Sequence, residues 1–322
     1  MSGKALVRKA VRFDNPERIP LSNPYDLSTS DIVNVEVVRN YTGADKLHSE
    51  WGFDWSHLAN DLTMGQPKHP IITSREELKR YRAPDPHDPT RFEPLRAARA
   101  QYGEDKYYKA NLVLSGFTIM TFLRGFSELI EDLYVDRDFV EDLADVVFSF
   151  EEKLFSLIAA QGFSAVHLAD DWGTQESLLI SPALWREIFK PRYRRQVELA
   201  HSLGLDLYFH CCGHIYEIVP DFIEIGLDIL NLGQPNINGI RCLGKDFSGK
   251  ICFACSVSYQ TTGISGTREE IRSEVKELVE SLGNKGGGLI GLIPTDILGL
   301  GGKQENIDCM LEAFAEFGSL SG

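Results

Sequence analysis

The stretch LDLYFHCCGHIYEIVP (205–220) sets two of the chain's six cysteines side by side, directly after a histidine, at the end of an apolar run. Read as a strand, the run alternates its side chains, so His210 and Cys212 share one face and Cys211 takes the other. The shared pair lies about 7 Å apart along the backbone, a span that one ion can bridge. An imidazole and a thiolate together suit Zn²⁺. Two ligands are too few for a site. Cys255, at the end of the later run CFACSVS, is the expected third, with Asp296 as the alternative. Three protein ligands leave the fourth position open for substrate. Taken singly, Cys252 and Cys255 also read as core cysteines, Cys211 as packing between sheet and helix, and His167 as a hydrogen-bonded core histidine.

Other polar residues gather at the ends of apolar runs in the same way. AVHLADD ends in Asp170 and Asp171, followed by Trp172; ILNLGQP carries Asn231 and Gln234; LIGLIPTD ends near Thr295 and Asp296. The runs themselves fall at 107–115, 164–171, 205–212, 227–235, 250–258 and 287–296. Amphipathic stretches at 125–162, 181–204, 214–226, 267–283 and 304–318 separate them. Helix starts are signalled by Ser181-Pro182 and by Ser74/Glu77 and Thr267/Glu270, the last two spaced as capping boxes. Residues 1–100 are less regular, with one short strand expected in RIPLSNPYDLSTSDI.

Short apolar strands alternating with helices predict parallel β-structure covered on its outside. The length of 322 residues fits one α/β domain, a (β/α)₈ TIM barrel with an N-terminal extension, whose barrel core occupies 101–322. A doubly wound open sheet is the runner-up. No G-x-G-x-x-G follows the early strands, which removes the usual mark of a dinucleotide fold.

The net charge of -14 argues against nucleic acid as a partner, because no cationic surplus exists to neutralise phosphates. The run KPRYRR (190–195) reads as the solvated face of a helix. No stretch has the roughly 18 consecutive apolar residues of a membrane span, so no membrane partner is expected. The N-terminus has no apolar signal core. The expectation is a cytoplasmic protein.

The segment 170–235 strongly resembles the uroporphyrinogen decarboxylase superfamily, and within it the corrinoid-dependent methyltransferase branch. The likeness rests on D-D-x-G-[ST]-Q, then S-P-x-x-[WY]-R-x-x-x-K-P, then H-x-C-G, then D-x-x-N-x-x-Q. It continues through GTREEIRSEV and QENIDCMLEAF, and RKAVRFDNPERIPL is a familiar opening. The resemblance implies a (β/α)₈ barrel and a zinc-dependent transfer of methyl between a small methylated substrate and the cobalt of a corrinoid (cobalamin) held by a partner protein. A methyl ether such as a methoxylated aromatic is the favoured donor. In such a site His210 and Cys212 are the zinc ligands. Asp170 or Asp171 would protonate the leaving oxygen, Asn231 and Gln234 would orient substrate, and Tyr25, Trp172 or Phe209 would form an apolar wall.

This chain departs from the pattern where a distant cysteine ligand is expected, reading GLIPTDILGLGG instead. It also lacks the early arginine-rich stretch with which the decarboxylases hold a four-armed acidic tetrapyrrole. The alternatives are a methylcobamide-to-thiol methyltransferase, a decarboxylase, and a non-catalytic corrinoid- or tetrapyrrole-binding barrel. A homodimer is carried as an expectation.

Overall fold

A parallel strand buried on both faces must be apolar nearly throughout, and the short runs meet that demand. In the computed structural model, which describes residues 1–43, 46–57, 65–295 and 297–319, they form β1 (Leu21–Ser22), β2 (Ile32–Glu36), β3 (Tyr107–Asn111), β4 (Ala165–Ala169), β5 (Asp206–Cys211), β6 (Ile229–Leu232), β7 (Cys252–Cys255) and β8 (Leu289–Leu292). All pair in parallel. The ladder runs β1-β8-β7-β6-β5-β4-β3-β2, and its two ends return to each other in a nearly closed barrel. The fold is the expected (β/α)₈ barrel, but its core is not confined to 101–322, because β1 and β2 come from the first hundred residues and pair with β8 and β3.

Side chains alternate across this wall. Val33, Val166, Leu207, Phe209, Leu230, Phe253 and Cys255 pack outward against the helices. Ile32, Tyr107, Ala165, Tyr208, Ile229, Cys252, Ala254 and Ile290 fill the interior. The N-terminal extension has a defined task. Its helix Gly3–Val11 sends Val7 and Val11 into that inner cluster. Lys4 N bonds Asp105 O and Gly288 N bonds Ala10 O, both at strand beginnings, so the helix closes the bottom of the barrel. Arg12 continues the closure by pairing with Asp206 and Asp228. The open end is therefore the one where the strands finish.

The structure refines the elements in several places. β2 is a strand that the sequence pattern does not announce, because its inward residues Asn34 and Glu36 are polar and open to the barrel mouth. The run 107–115 stops at Asn111 and is followed by a helix, Gly116–Arg124. The stretch 125–162 divides into Phe126–Val135 and Arg137–Ala160, the second capped by the Asp136 side chain on Phe139 N. The stretch 181–204 breaks at Phe189, where Pro191 cannot donate into a continuing helix. Ser181 caps Leu184 N as its spacing predicts, and Thr267 with Glu270 forms a complete capping box. At Ser74 the box is only half made. Glu77 bonds Thr73 N (2.6 Å) instead of the N-cap amide. KPRYRR is paired with acids: Lys190 with Asp221, Arg192 with Asp145, Arg194 with Glu224 and Arg195 with Glu152.

Candidate functional site

Strand register sets the site. Ala169, His210, Asn231 and Ala254 stand in one row across β4, β5, β6 and β7. His210 and Asn231 are inward neighbours in that row. His210 Nδ1 is 2.7 Å from Asn231 Oδ1, while Asn231 Nδ2 donates to Ala254 O (2.7 Å). The amide is thereby oriented with its oxygen toward the ring. Nδ1 carries the imidazole proton, and the Nε2 lone pair is free to bind. That lone pair faces Cys212 Sγ at 3.3 Å and an Asp171 carboxylate oxygen at 3.8 Å. The three donor atoms of Asp171, His210 and Cys212 all lie within 4.8 Å of one another.

This nitrogen, sulfur and oxygen set suits zinc, and the backbone leaves room for it. A Cβ on Gly233 would come within 2.9 Å of Cys212 Sγ and 3.3 Å of His210 Cε1. Burial, with the neighbouring Asp171 charge, pushes the Cys212 thiol up to about 12. A thiol in that state needs a cation to become a thiolate ligand.

The loops that follow β4 and β5 lock together behind the set. The Cys212 amide donates to Asp171 Oδ1 (2.8 Å), Gly173 N donates to Cys212 O and His214 N to Thr174 O. Gly173 and Gly213 press backbone on backbone. A Cβ on Gly213 would sit 2.1 Å from the Gly173 carbonyl carbon, and φ at Gly213 is +84°. Gln234 accepts from Gly213 N and from Gln175 Nε2. Its structural role is to brace this loop.

Several expected site residues stand elsewhere. Asp170 is fully buried behind the site. It accepts from Phe117 N (2.8 Å), Thr118 N (2.7 Å), Thr118 Oγ1 and Tyr193 Oη, and so fastens the start of helix Gly116–Arg124. Burial pushes its carboxyl up to about 7, against the pull of those hydrogen bonds. Trp172 has no exposed surface; it stacks on Phe117 (4.4 Å between ring centres) and donates to Tyr193 Oη. It is a core residue and forms no cavity wall. Phe209 also packs in that aromatic core. Cys255 is not brought to His210 and Cys212. Strand alternation turns it to the helix layer, and Asp171 takes its place in the set. Asp296 lies outside the described residues. Tyr25 stands at the rim, where its hydroxyl donates toward Pro294 O and Thr295 O.

Below the set lies a cavity of about 600 Å³, within the size of small-ligand pockets. His210, Cys212 and Asn231 line it, with Lys109, His167 and Tyr259. Lys109 was not legible as a site residue. It sits in YYKANLVLS, a run that reads as a buried strand, and only the barrel's inward face reveals it. Its Nζ is 3.0 Å from His167 Nδ1 and 3.9 Å from the centre of the Tyr208 ring. Burial lowers it to about 7. It also holds His167 well below its ordinary range, with the Lys109 charge adding to the effect.

A parallel eight-stranded barrel that gathers its polar groups at the C-terminal ends of the strands has the layout of a barrel enzyme. The model of the uroporphyrinogen decarboxylase (URO-D) family matches residues 60–317, and the chain belongs to that family. Among solved structures, a methyltransferase from Methanosarcina mazei superposes with a TM-score of 0.74 at 16% identity, over 98% of this chain and 99% of that one. A 3-keto-D-glucoside 4-epimerase from E. coli reaches a TM-score of 0.45 at 14% identity, over 70% of this chain and 85% of that one. No curated protein matches. No described helix is long and apolar enough to cross a membrane.

Proposed function

We propose that this protein is a zinc-dependent methyltransferase that moves a methyl group between a small methylated substrate, such as a methoxylated aromatic, and the cobalt of a corrinoid carried by a partner protein. The observation that carries this reading is the convergence of His210 Nε2, Cys212 Sγ and an Asp171 oxygen within 4.8 Å at the mouth of the cavity. His210, Cys212 and Asp171 would hold the zinc. When bound, it supplies Lewis acidity to the leaving oxygen of a methyl ether. Asn231 keeps the His210 lone pair directed at that position. The bottom of the barrel is closed, so substrate and the corrinoid partner both approach from the mouth.

The full-length likeness to a methyltransferase fold is consistent with this reading. The cavity lining argues against decarboxylation of a four-armed acidic tetrapyrrole, because among the described lining residues the only lysine or arginine is Lys109. The test is to supply zinc-loaded protein with Co(I) cobalamin and a panel of methoxylated aromatics, and to follow methylcobalamin by absorbance. Methylation that disappears in His210→Ala supports the reading. No methylation with any donor, together with carbon dioxide release from a tetrapyrrole acid, would replace it with a decarboxylase.

A further inference from the structure

We propose that Lys109 and His167 form an anion-binding floor to the cavity, and that the substrate is a compact acid whose carboxylate rests there beneath its methylated atom. The inference rests on the methyl-transfer reading for the methylated atom but not for the anion.

Lys109 faces inward from β3 and is buried, yet it lines the cavity. Burial with no anion beside it is what lowers Lys109 to about 7, and an anion entering the cavity would restore its charge. The chain has 47 acidic residues, and among the described ones none pairs with this cation. Its polar neighbours are neutral. His167 Nδ1 takes one of its hydrogens, and the face of Tyr208 lies under it. With Lys109 donating to Nδ1, His167 carries its own proton on Nε2. That nitrogen is buried and has no partner. Asn111 also lines the cavity, and its Oδ1 is already engaged by Val113 N, so its free hydrogens are donors too. The floor therefore offers a cation and amide or imidazole donors with no matching acceptor. A carboxylate has the charge and the lone pairs to satisfy them.

The spacing assigns the size of the molecule. His167 stands in the floor two residues before Ala169, the register partner of His210, and its ring is 6.5 Å from that of His210. Floor and set are separated by about two residues of strand rise, or roughly 7 Å. One substituted ring or a short chain spans that interval, with the carboxylate below and the methylated heteroatom above.

The test is calorimetric binding of 4-methoxybenzoate and its neutral amide, without added metal, to wild type, Lys109→Met and His210→Ala. The acid is expected to bind wild type and His210→Ala alike, to be displaced by acetate, and to bind about tenfold or more tightly than the amide. Lys109→Met should lose about tenfold or more for the acid and stop distinguishing acid from amide. Equal binding of acid and amide to wild type overturns the proposal without any variant. So does full-strength acid binding by Lys109→Met, or no binding of either carboxylate. Acid binding without methyl transfer would leave the floor standing and remove the proposed reaction. Transfer that proceeds equally from acid and amide would do the reverse.

Discussion

The Asn231 side-chain oxygen lies 2.7 Å from His210 Nδ1, and the same amide donates to the carbonyl of Ala254 at 2.7 Å. One residue thereby reads a backbone oxygen on β7 and sets the tautomer of a side chain on β5. Asn231→Leu removes the acceptor but keeps the volume. Zinc affinity, measured by competition with a chromophoric chelator, should fall about 10–100-fold while the circular dichroism spectrum is retained. Unchanged affinity would show that His210 is oriented by something else.

Gly233 is the space beside the ligands. In Gly233→Ala the new methyl meets Cys212 Sγ at 2.9 Å. Because the sulfur must move, zinc affinity should fall about tenfold or more with little change in melting temperature. Loss of folding instead would mean that the glycine serves the backbone and not the site.

Trp172 is expected to act through stability alone. Trp172→Ala should cost about 3–5 kcal/mol, read from urea midpoints, because the ring is fully buried against Phe117, Phe189 and Trp185. Trp172→Phe should keep substrate affinity in full. A selective rise in KM with unchanged stability would return this residue to the cavity wall.

Glu151 gives a pH signature. Burial raises its carboxyl from the ordinary 4.5 to about 8, and it bonds Gly116 N and Gln196 Nε2. Between those two values the unfolded chain has released this proton and the folded chain has kept it. The unfolded state then binds fewer protons, so stability falls as pH rises through the window. Glu151→Gln removes the proton from the linkage. The drop in unfolding free energy from pH 5 to pH 8 should shrink by about 1–2 kcal/mol. A mutant whose pH dependence parallels wild type would assign the slope to Asp170, which is also raised, and not to Glu151.

What the chain's residues announced, and what they concealed, follows from which face each occupies. Seven of the barrel strands show as apolar or short strand-like runs, because parallel strands under helices are apolar on both faces. β2 escapes because its inward positions, Asn34 and Glu36, meet the open mouth. His210 and Cys212 were legible from alternation within one strand. Asp171 could be placed at a strand end, but its meeting with His210 follows from the register of β4 on β5 and the Cys212 amide that holds its carboxylate, which no local spacing encodes. Cys255 has a ligand's chemistry at a strand end, but one step of alternation puts it on the opposite face from Ala254 and Ser256. Lys109 was hidden in plain view, since a lone lysine within a run that reads as a buried strand gives no sign of a cavity until the barrel closes around it.

The most direct measurement is the metal content of protein purified without chelator and supplied with zinc, compared with His210→Ala, Cys212→Ala and Asp171→Ala. The account predicts about one zinc per chain in wild type, lost in the first two variants and weakened in the third. Wild-type protein that takes up no zinc, or a His210→Ala variant that holds it as well as wild type, would contradict the metal site on which the proposed transfer depends.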